Sequence, residues 1–140
     1  VVAYNGQQID RVMSPTRDVP PFLKITANSG RDAYNTPVSC PMSIGWGGAM
    51  GPAQFIPSTW ALYESKIAAA TGHTPDPWNI ADAFMATGLY LKDLGVKSNE
   101  FTAVMKYFSG ASWSKWEEFY GRSVLSIASQ YEADIAELEK

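Results

Sequence analysis

The densest concentration of chemistry in this chain is the run Gly47-Gly-Ala-Met-Gly-Pro-Ala-Gln-Phe-Ile-Pro-Ser-Thr-Trp60. Gln54 offers one carbonyl acceptor and two N–H donors, and it sits among the apolar side chains of Met50, Phe55 and Ile56. An amide among apolar neighbours suits a sugar ring, which presents hydroxyls at its edge and C–H bonds on its faces. Gly47, Gly48 and Gly51 permit positive φ and a close approach of backbone to a ligand. Trp46, beside these glycines, could stack on a sugar face, as could Trp113, although a surplus of tryptophan in a helical core explains both nearly as well. Pro57 suits the first turn of a helix, and Ser58 is read as a cap for that helix rather than as a reacting hydroxyl.

Gly48-Ala-Met-Gly followed by Gln54-Phe-Ile-Pro-Ser resembles the central motif of lytic murein transglycosylases of the membrane-bound B type. Asp76-Pro-Trp-Asn, Asp82-Ala-Phe, Tyr90-Leu, Lys106-Tyr-Phe-Ser-Gly110 and Phe119-Tyr-Gly-Arg-Ser-Val124 follow in the order that family has, so the resemblance spans about positions 45 to 128. It implies an all-α, lysozyme-like helical domain that binds glycan strands of peptidoglycan. The reaction implied is cleavage of the β-1,4 bond between N-acetylmuramic acid and N-acetylglucosamine, with a 1,6-anhydro product. Gln54 matches the family's glutamine, expected to hydrogen-bond the sugar or orient the catalytic group, and Gly48, Met50 and Phe55 fall in the same glycan-binding loop. Phe55 is read equally well as plain core. Tyr107 matches the tyrosine of a Tyr-Asn pair near the catalytic acid, but Phe108 stands at the Asn position and cannot hydrogen-bond. Close relatives carry a serine where this chain has Gly45, with Ser43 two residues away.

Glycosidic cleavage needs an acid to protonate the leaving oxygen, and the resemblance implies one glutamate serving as acid and then base, assisted by the substrate's N-acetyl group. No glutamate precedes Glu64 in this sequence, and the earlier acids are Asp10, Asp18 and Asp32. The expectation is therefore a domain whose catalytic helix lies upstream of Val1. Glu64 and Asp76 are weak substitutes, because solvated helix and loop carboxylates are common. Asp82 is read as a structural charge at a helix N-terminus. His73 has no Cys, His or carboxylate at ligand spacing, so it reads as a surface histidine and no metal or cofactor is expected.

The elements that must position these residues are helical. Asp18 can cap a helix from Pro20 to Asn28, ending at Gly30. Residues 31 to 56, rich in Pro, Gly, Ser and Asn, read as one long glycan-binding loop. Trp60, Tyr63, Ile67 and Ala70 recur at helical spacing from Ser58 to Thr71, and Gly72 stops the run. Asn79 opens a central helix over 80 to 94, with Ile80, Ala83, Phe84, Thr87, Tyr90, Leu91 and Leu94 as its stripe. Asn99 opens another, carrying Phe101, Val104, Met105 and Phe108 and ending at Gly110. Trp113, Trp116 and Tyr120 share helical spacing that Gly121 stops. Residues 122 to 140 form a closing amphipathic helix through Val124, Ile127, Tyr131, Ile135 and Leu138. The opening stretch to Thr16 fits no period, and no β-alternation is visible.

At 140 residues the chain reads as one domain, 1–140. Hydrophobic residues at 46 % against 18 % charged give a globular balance rather than a disordered one. A net charge of −3 with scattered Lys and Arg argues against nucleic-acid partners. No stretch is long and apolar enough to span a bilayer. Two readings of the single Cys40 stand: a buried free thiol, or half of a disulfide to a segment outside this sequence. The expected partners are peptidoglycan glycan strands and, beyond them, cell-wall proteins; the resemblance places the protein outside the cytoplasm, as a monomer. A rival reading is a catalytically inactive glycan-binding or scaffolding module. A third is a helical interaction domain that docks a partner through residues 122 to 140.

Overall fold

The structure, a computed structural model, describes residues 2–3, 9–43, 45–110 and 120–139. Trp113, Trp116 and Phe119, and the Asn5-Gly6 turn signal, lie outside the described residues. Among the described residues the chain is mostly helical, in agreement with an all-α, lysozyme-like domain. The elements in order are β1 (Val2–Ala3), α1 (Ile9–Val12), α2 (Val19–Asn28), β2 (Pro37–Val38), α3 (Pro57–Thr71), α4 (Ile80–Asp93), α5 (Glu100–Ser109) and α6 (Arg122–Leu138). They fall into two compact units, Val1–Leu89 and Tyr90–Lys140.

In the first unit, α2 and α3 pack on one another. Phe22 and Ile25 from α2 meet Trp60, Tyr63 and Ile67 from α3 in a core that also holds Met13, Val38, Met50 and Phe55. Burying a side chain of this size contributes about 1.5–3 kcal/mol, so this core is the main reason the surrounding loop has a fixed shape. Asp18 does not cap its own helix, as its position suggested. It has αR backbone angles and no side-chain bond to α2. Its fully buried carboxylate instead accepts the Ser58 N–H at 3.2 Å, and Arg17 covers it with Nε and Nη2 at 2.9 and 2.7 Å. The cap of α3 is thus Asp18, forty residues away in sequence, and not the Ser58 hydroxyl. Pro57 occupies the first turn of α3, and Gly72 ends it at φ 77°, its N–H bonded to Ala68 O.

The opening stretch is less irregular than its sequence suggests. It contains the single turn α1, and β1 pairs antiparallel with β2, Val2 opposite Val38. Asn79 begins α4, its Oδ1 accepting from Ala81 N and Asp82 N. The inward residues of that helix are Asp82, Ala83 and Ala86, whereas Ile80 and Phe84 of the expected stripe are exposed.

In the second unit, Asn99 caps α5 by accepting the Thr102 N–H at 2.8 Å, and Ala103, Val104 and Met105 are buried. Phe108 is exposed on one side and stacks on Tyr120, ring centroids 4.0 Å apart. Gly121 does not stop a helix; with helical angles it is the N-cap of α6. A Cβ there would lie 2.5 Å from Met105 Sδ and 2.7 Å from Phe101 Cε2, so it is a glycine because α5 comes so close. Along α6, Ile127, Tyr131, Ile135 and Leu138 are all exposed.

Candidate functional site

The loop between α2 and α3 is built on a short ladder of paired backbone. Val38 pairs with Met50, and Met50 with Phe55, so residues 50–55 double back as a tight hairpin. Ser39 fastens the other side: its N–H reaches Ala49 O, its carbonyl accepts from Gly48 N, and its hydroxyl accepts from Ala49 N, each at 2.9 Å. Gly47 N donates to Val12 O.

The glycines make this closure feasible, and the space they leave is filled by the chain itself rather than kept for a ligand. A Cβ on Gly47 would overlap the Ser39 and Cys40 backbone, and one on Gly48 would come 2.6 Å from Met13 Cβ. Gly48 and Gly51 have φ of 90° and 59°, a region in which a side chain is strained. A Cβ on Gly51 would overlap the Pro77 carbonyl, 2.7 Å from its carbon. The loop therefore rests on the Asp76-Pro-Trp-Asn turn.

Gln54 is held in the left-handed region, φ 56°, although it is not a glycine. Such a conformation costs an ordinary residue about 1–2 kcal/mol and persists only where the surroundings dictate it. Here Gly51 O accepts both the Gln54 N–H, at 3.3 Å, and the side-chain Nε2, at 2.7 Å. The side chain is exposed, and among the described residues its carbonyl Oε1 has no partner. Beneath it, Met50 is fully buried and Phe55 nearly so, edge-on to Trp60 with centroids 5.7 Å apart. These two support the hairpin from below, so neither side chain forms the surface beside Gln54. Trp46 is 48 % exposed and follows the Met42–Gly45 bridge. Tyr107 belongs to the second unit, where its ring tilts against Tyr90 at 5.3 Å; burial pushes the phenols of Tyr90 and Tyr120 above their usual value.

Sequence reasoning missed the residues that fix the Asp76-Pro-Trp-Asn turn. Asp76 Oδ1 accepts the Trp78 N–H at 3.0 Å, an Asx turn. Arg31 grips the same carboxylate with Nε and Nη2 and lays its guanidinium over the Trp78 ring, 4.9 Å from the centroid. Trp78 Nε1 donates to Pro37 O at 3.0 Å. Asp82, buried as expected of a structural residue, accepts Asp76 N–H at 2.9 Å. It also corrects the reading of His73, whose Nε2 lies 2.9 and 3.1 Å from the two Asp82 oxygens. The ring remains largely exposed, but it has a carboxylate partner that sequence spacing did not reveal.

Near His73, an open groove of about 530 Å³ is lined by Asn28, Glu64, Ser65 and Thr74 among others, with Glu64 Oε1 accepting from Asn28 Nδ2 at 3.1 Å. Among the described residues no three His, Cys, Asp or Glu side chains cluster as metal ligands. No helix is long and apolar enough to cross a membrane among them. Cys40 is exposed, which removes the buried-thiol reading.

Comparison with curated proteins and with solved structures gave no match. A family model described as the transglycosylase SLT domain matches residues 17–132, a span that takes in α2, the Gln54 hairpin, the Asp76-Pro-Trp-Asn turn and most of α6. The chain belongs to the transglycosylase SLT domain family.

Proposed function

We propose that the protein is a peptidoglycan lytic transglycosylase acting outside the cytoplasm, and that the Gln54 hairpin is where it holds the glycan strand. The observation that carries this reading is Gln54 itself: an exposed amide kept in a strained backbone conformation, which surroundings maintain when a precise placement is useful. With one N–H on Gly51 O, its Oε1 and second N–H are available to a sugar's hydroxyl or N-acetyl group. Trp46 supplies an aromatic face, and Gly48, Met50 and Phe55 keep the hairpin in place from within the core.

In the reaction proposed, a glutamate protonates the glycosidic oxygen as the C1–O bond of N-acetylmuramic acid breaks, and the substrate's N-acetyl group supports the positive centre. The same carboxylate, now a base, takes the proton of the 6-hydroxyl as that oxygen attacks C1, closing the 1,6-anhydro ring. Such an acid works best with its pKa raised by an apolar cleft. Because Glu64 is the first glutamate of the sequence and is tied to Asn28 at the end of α2, we take neither Glu64 nor the earlier aspartates Asp10, Asp18 and Asp32 as that acid.

The absence of any glutamate ahead of the hairpin also favours a second reading, an inactive module that binds glycan without cutting it. One experiment separates them. The full-length protein is incubated with purified peptidoglycan and the products are weighed by mass spectrometry. 1,6-Anhydromuramyl products, strongly reduced in Gln54→Ala at unchanged thermal stability, are expected. Binding without products would support the module, and unchanged turnover in Gln54→Ala would remove the hairpin from the site.

A further inference from the structure

The hairpin that carries Gln54 is packed against the rest of the first unit where Gly51 meets Pro77, backbone against backbone, with no room for even a methyl group. Gly51 is also the residue whose carbonyl holds Gln54 by both its N–H and its side-chain amide. The placement of the Gln54 amide therefore depends on where the Pro77 carbonyl stands.

Pro77 has little freedom of its own. Its ring fixes φ, and Asp76 before it and Trp78 after it are joined by the Asx-turn bond. That turn is in turn anchored at a distance. Arg31, just past the end of α2, makes two parallel bonds to the Asp76 carboxylate, Nε to Oδ1 at 3.1 Å and Nη2 to Oδ2 at 2.5 Å. It also stacks on Trp78. A guanidinium is suited to this double duty because its planar fork matches a carboxylate while its face covers an aromatic ring; a lysine ammonium, a compact point charge, cannot do both at once. Both partners of the pair are only partly exposed, 34 % and 24 % of their side chains, so the pair is sheltered enough to have a defined geometry.

We propose that Arg31 and Asp76 are positioning residues for Gln54: they lock the turn whose Pro77 carbonyl seats Gly51, and Gly51 in turn holds the Gln54 amide toward the glycan. The inference rests on the reading of Gln54 as a glycan contact, but its physical core, a mechanical link from Arg31 to Gln54, stands apart from that reading. Without the pair, the turn keeps its bonds to Pro37 and Asp82 but loses its anchor on Arg31, so Gly51 gains slack and Gln54 can leave its strained conformation at no cost to the core.

Two measurements test it. In amide-detected NMR of the 140-residue chain, the side-chain resonances of Gln54 are followed in Arg31→Met and Asp76→Asn. Both are expected to shift or broaden the Gln54 amide while the core amides of α3 keep their positions. Unmoved Gln54 resonances would overturn the proposal whatever the enzyme does. In turnover of peptidoglycan by the full-length protein, Arg31→Met is expected to lower the rate about tenfold or more, because small misplacements of a substrate-contacting group are costly. In a Gln54→Ala background the same change is expected to cost almost nothing, since the group it positions is gone. Arg31→Lys should restore little of the rate. Independent, multiplying losses from Arg31→Met and Gln54→Ala would show that Arg31 acts by stability alone. Should Gln54→Ala by itself leave turnover intact, the glycan-contact reading fails, while the NMR shift still decides the mechanical link. Asp76→Asn serves as the second variant in case Arg31→Met does not fold.

Discussion

Replacing Gly51 with alanine exchanges one hydrogen for a methyl group, and the structure allows the consequence to be worked out in parts. At φ 59° the new side chain is in the left-handed region, which costs about 1–2 kcal/mol. The Cβ would also overlap the Pro77 carbonyl, and since both groups are backbone no rotamer relieves the contact; overpacking of this kind adds about 1–3 kcal/mol. The sum is about 3 kcal/mol, a large part of the roughly 5–15 kcal/mol that holds a domain folded. Gly72 provides the control. It has φ 77° at the end of α3 and open space around its missing Cβ, so Gly72→Ala carries the backbone cost without the collision. Both changes lower the unfolded chain's entropy alike, so that effect cancels in the difference. Both positions belong to the first unit. At about 4 °C per kcal/mol for a chain of this size, circular-dichroism melts should show a loss of about 12 °C for Gly51→Ala and about half that for Gly72→Ala. Equal losses would refute the claim that Gly51 is packed against Pro77, and with it the seating of the hairpin.

Asp18→Ala removes the acceptor for the Ser58 N–H and should destabilise the first unit by about 1–2 kcal/mol in urea unfolding, whereas Asp18→Asn, which keeps an acceptor, should lose less. Tyr90 and Tyr120 are raised by burial above the ordinary value of 10.0. The neutral phenol is thus favoured by folding, so the stability this gives the second unit is present below pH 10 and is lost as pH rises from there through the folded-state values. A spectrophotometric alkaline titration should show Tyr90 and Tyr120 ionising at higher pH in the native protein than in denaturant; a titration of these two that denaturant leaves unchanged would contradict the burial.

Much of the helical framework was legible because each helix carries its own punctuation. Asn79 and Asn99 open α4 and α5, Gly72 closes α3, and each boundary falls within about two residues of its expected place. What escaped depends on groups far apart in sequence. The pairing of Val38 with Met50, the capping of α3 by Asp18 and the grip of Arg31 on Asp76 leave no local pattern, because the partners come together only after the core forms. Single-turn α1 and the two-residue strands are too short for any periodicity to show.

The site was legible in composition but not in depth. The sequence singled out Gln54 as the polar centre of a constrained loop, and the structure places it, exposed, in a tight hairpin; the sequence could not show that Met50 and Phe55 lie under that loop, or that Gly47, Gly48 and Gly51 make room for neighbouring parts of the chain. Glycine spacing reports close approach, and only coordinates say to what. His73 and Asp82 illustrate the same limit: nine residues apart, they meet because the Thr74-to-Asn79 loop folds back over the start of α4.

The central claim is that the Gln54 hairpin binds glycan, and it is tested most directly by titrating the isotopically labelled chain with soluble peptidoglycan glycan fragments while following its amide and indole NMR signals. The account expects saturable shifts concentrated on the Gln54 side chain, the Gly47–Gly51 backbone and the Trp46 indole, with Gln54→Ala weakening the binding. Saturable binding whose shifts leave the hairpin untouched, clustering for example on Glu64 and His73 in the groove, would contradict it.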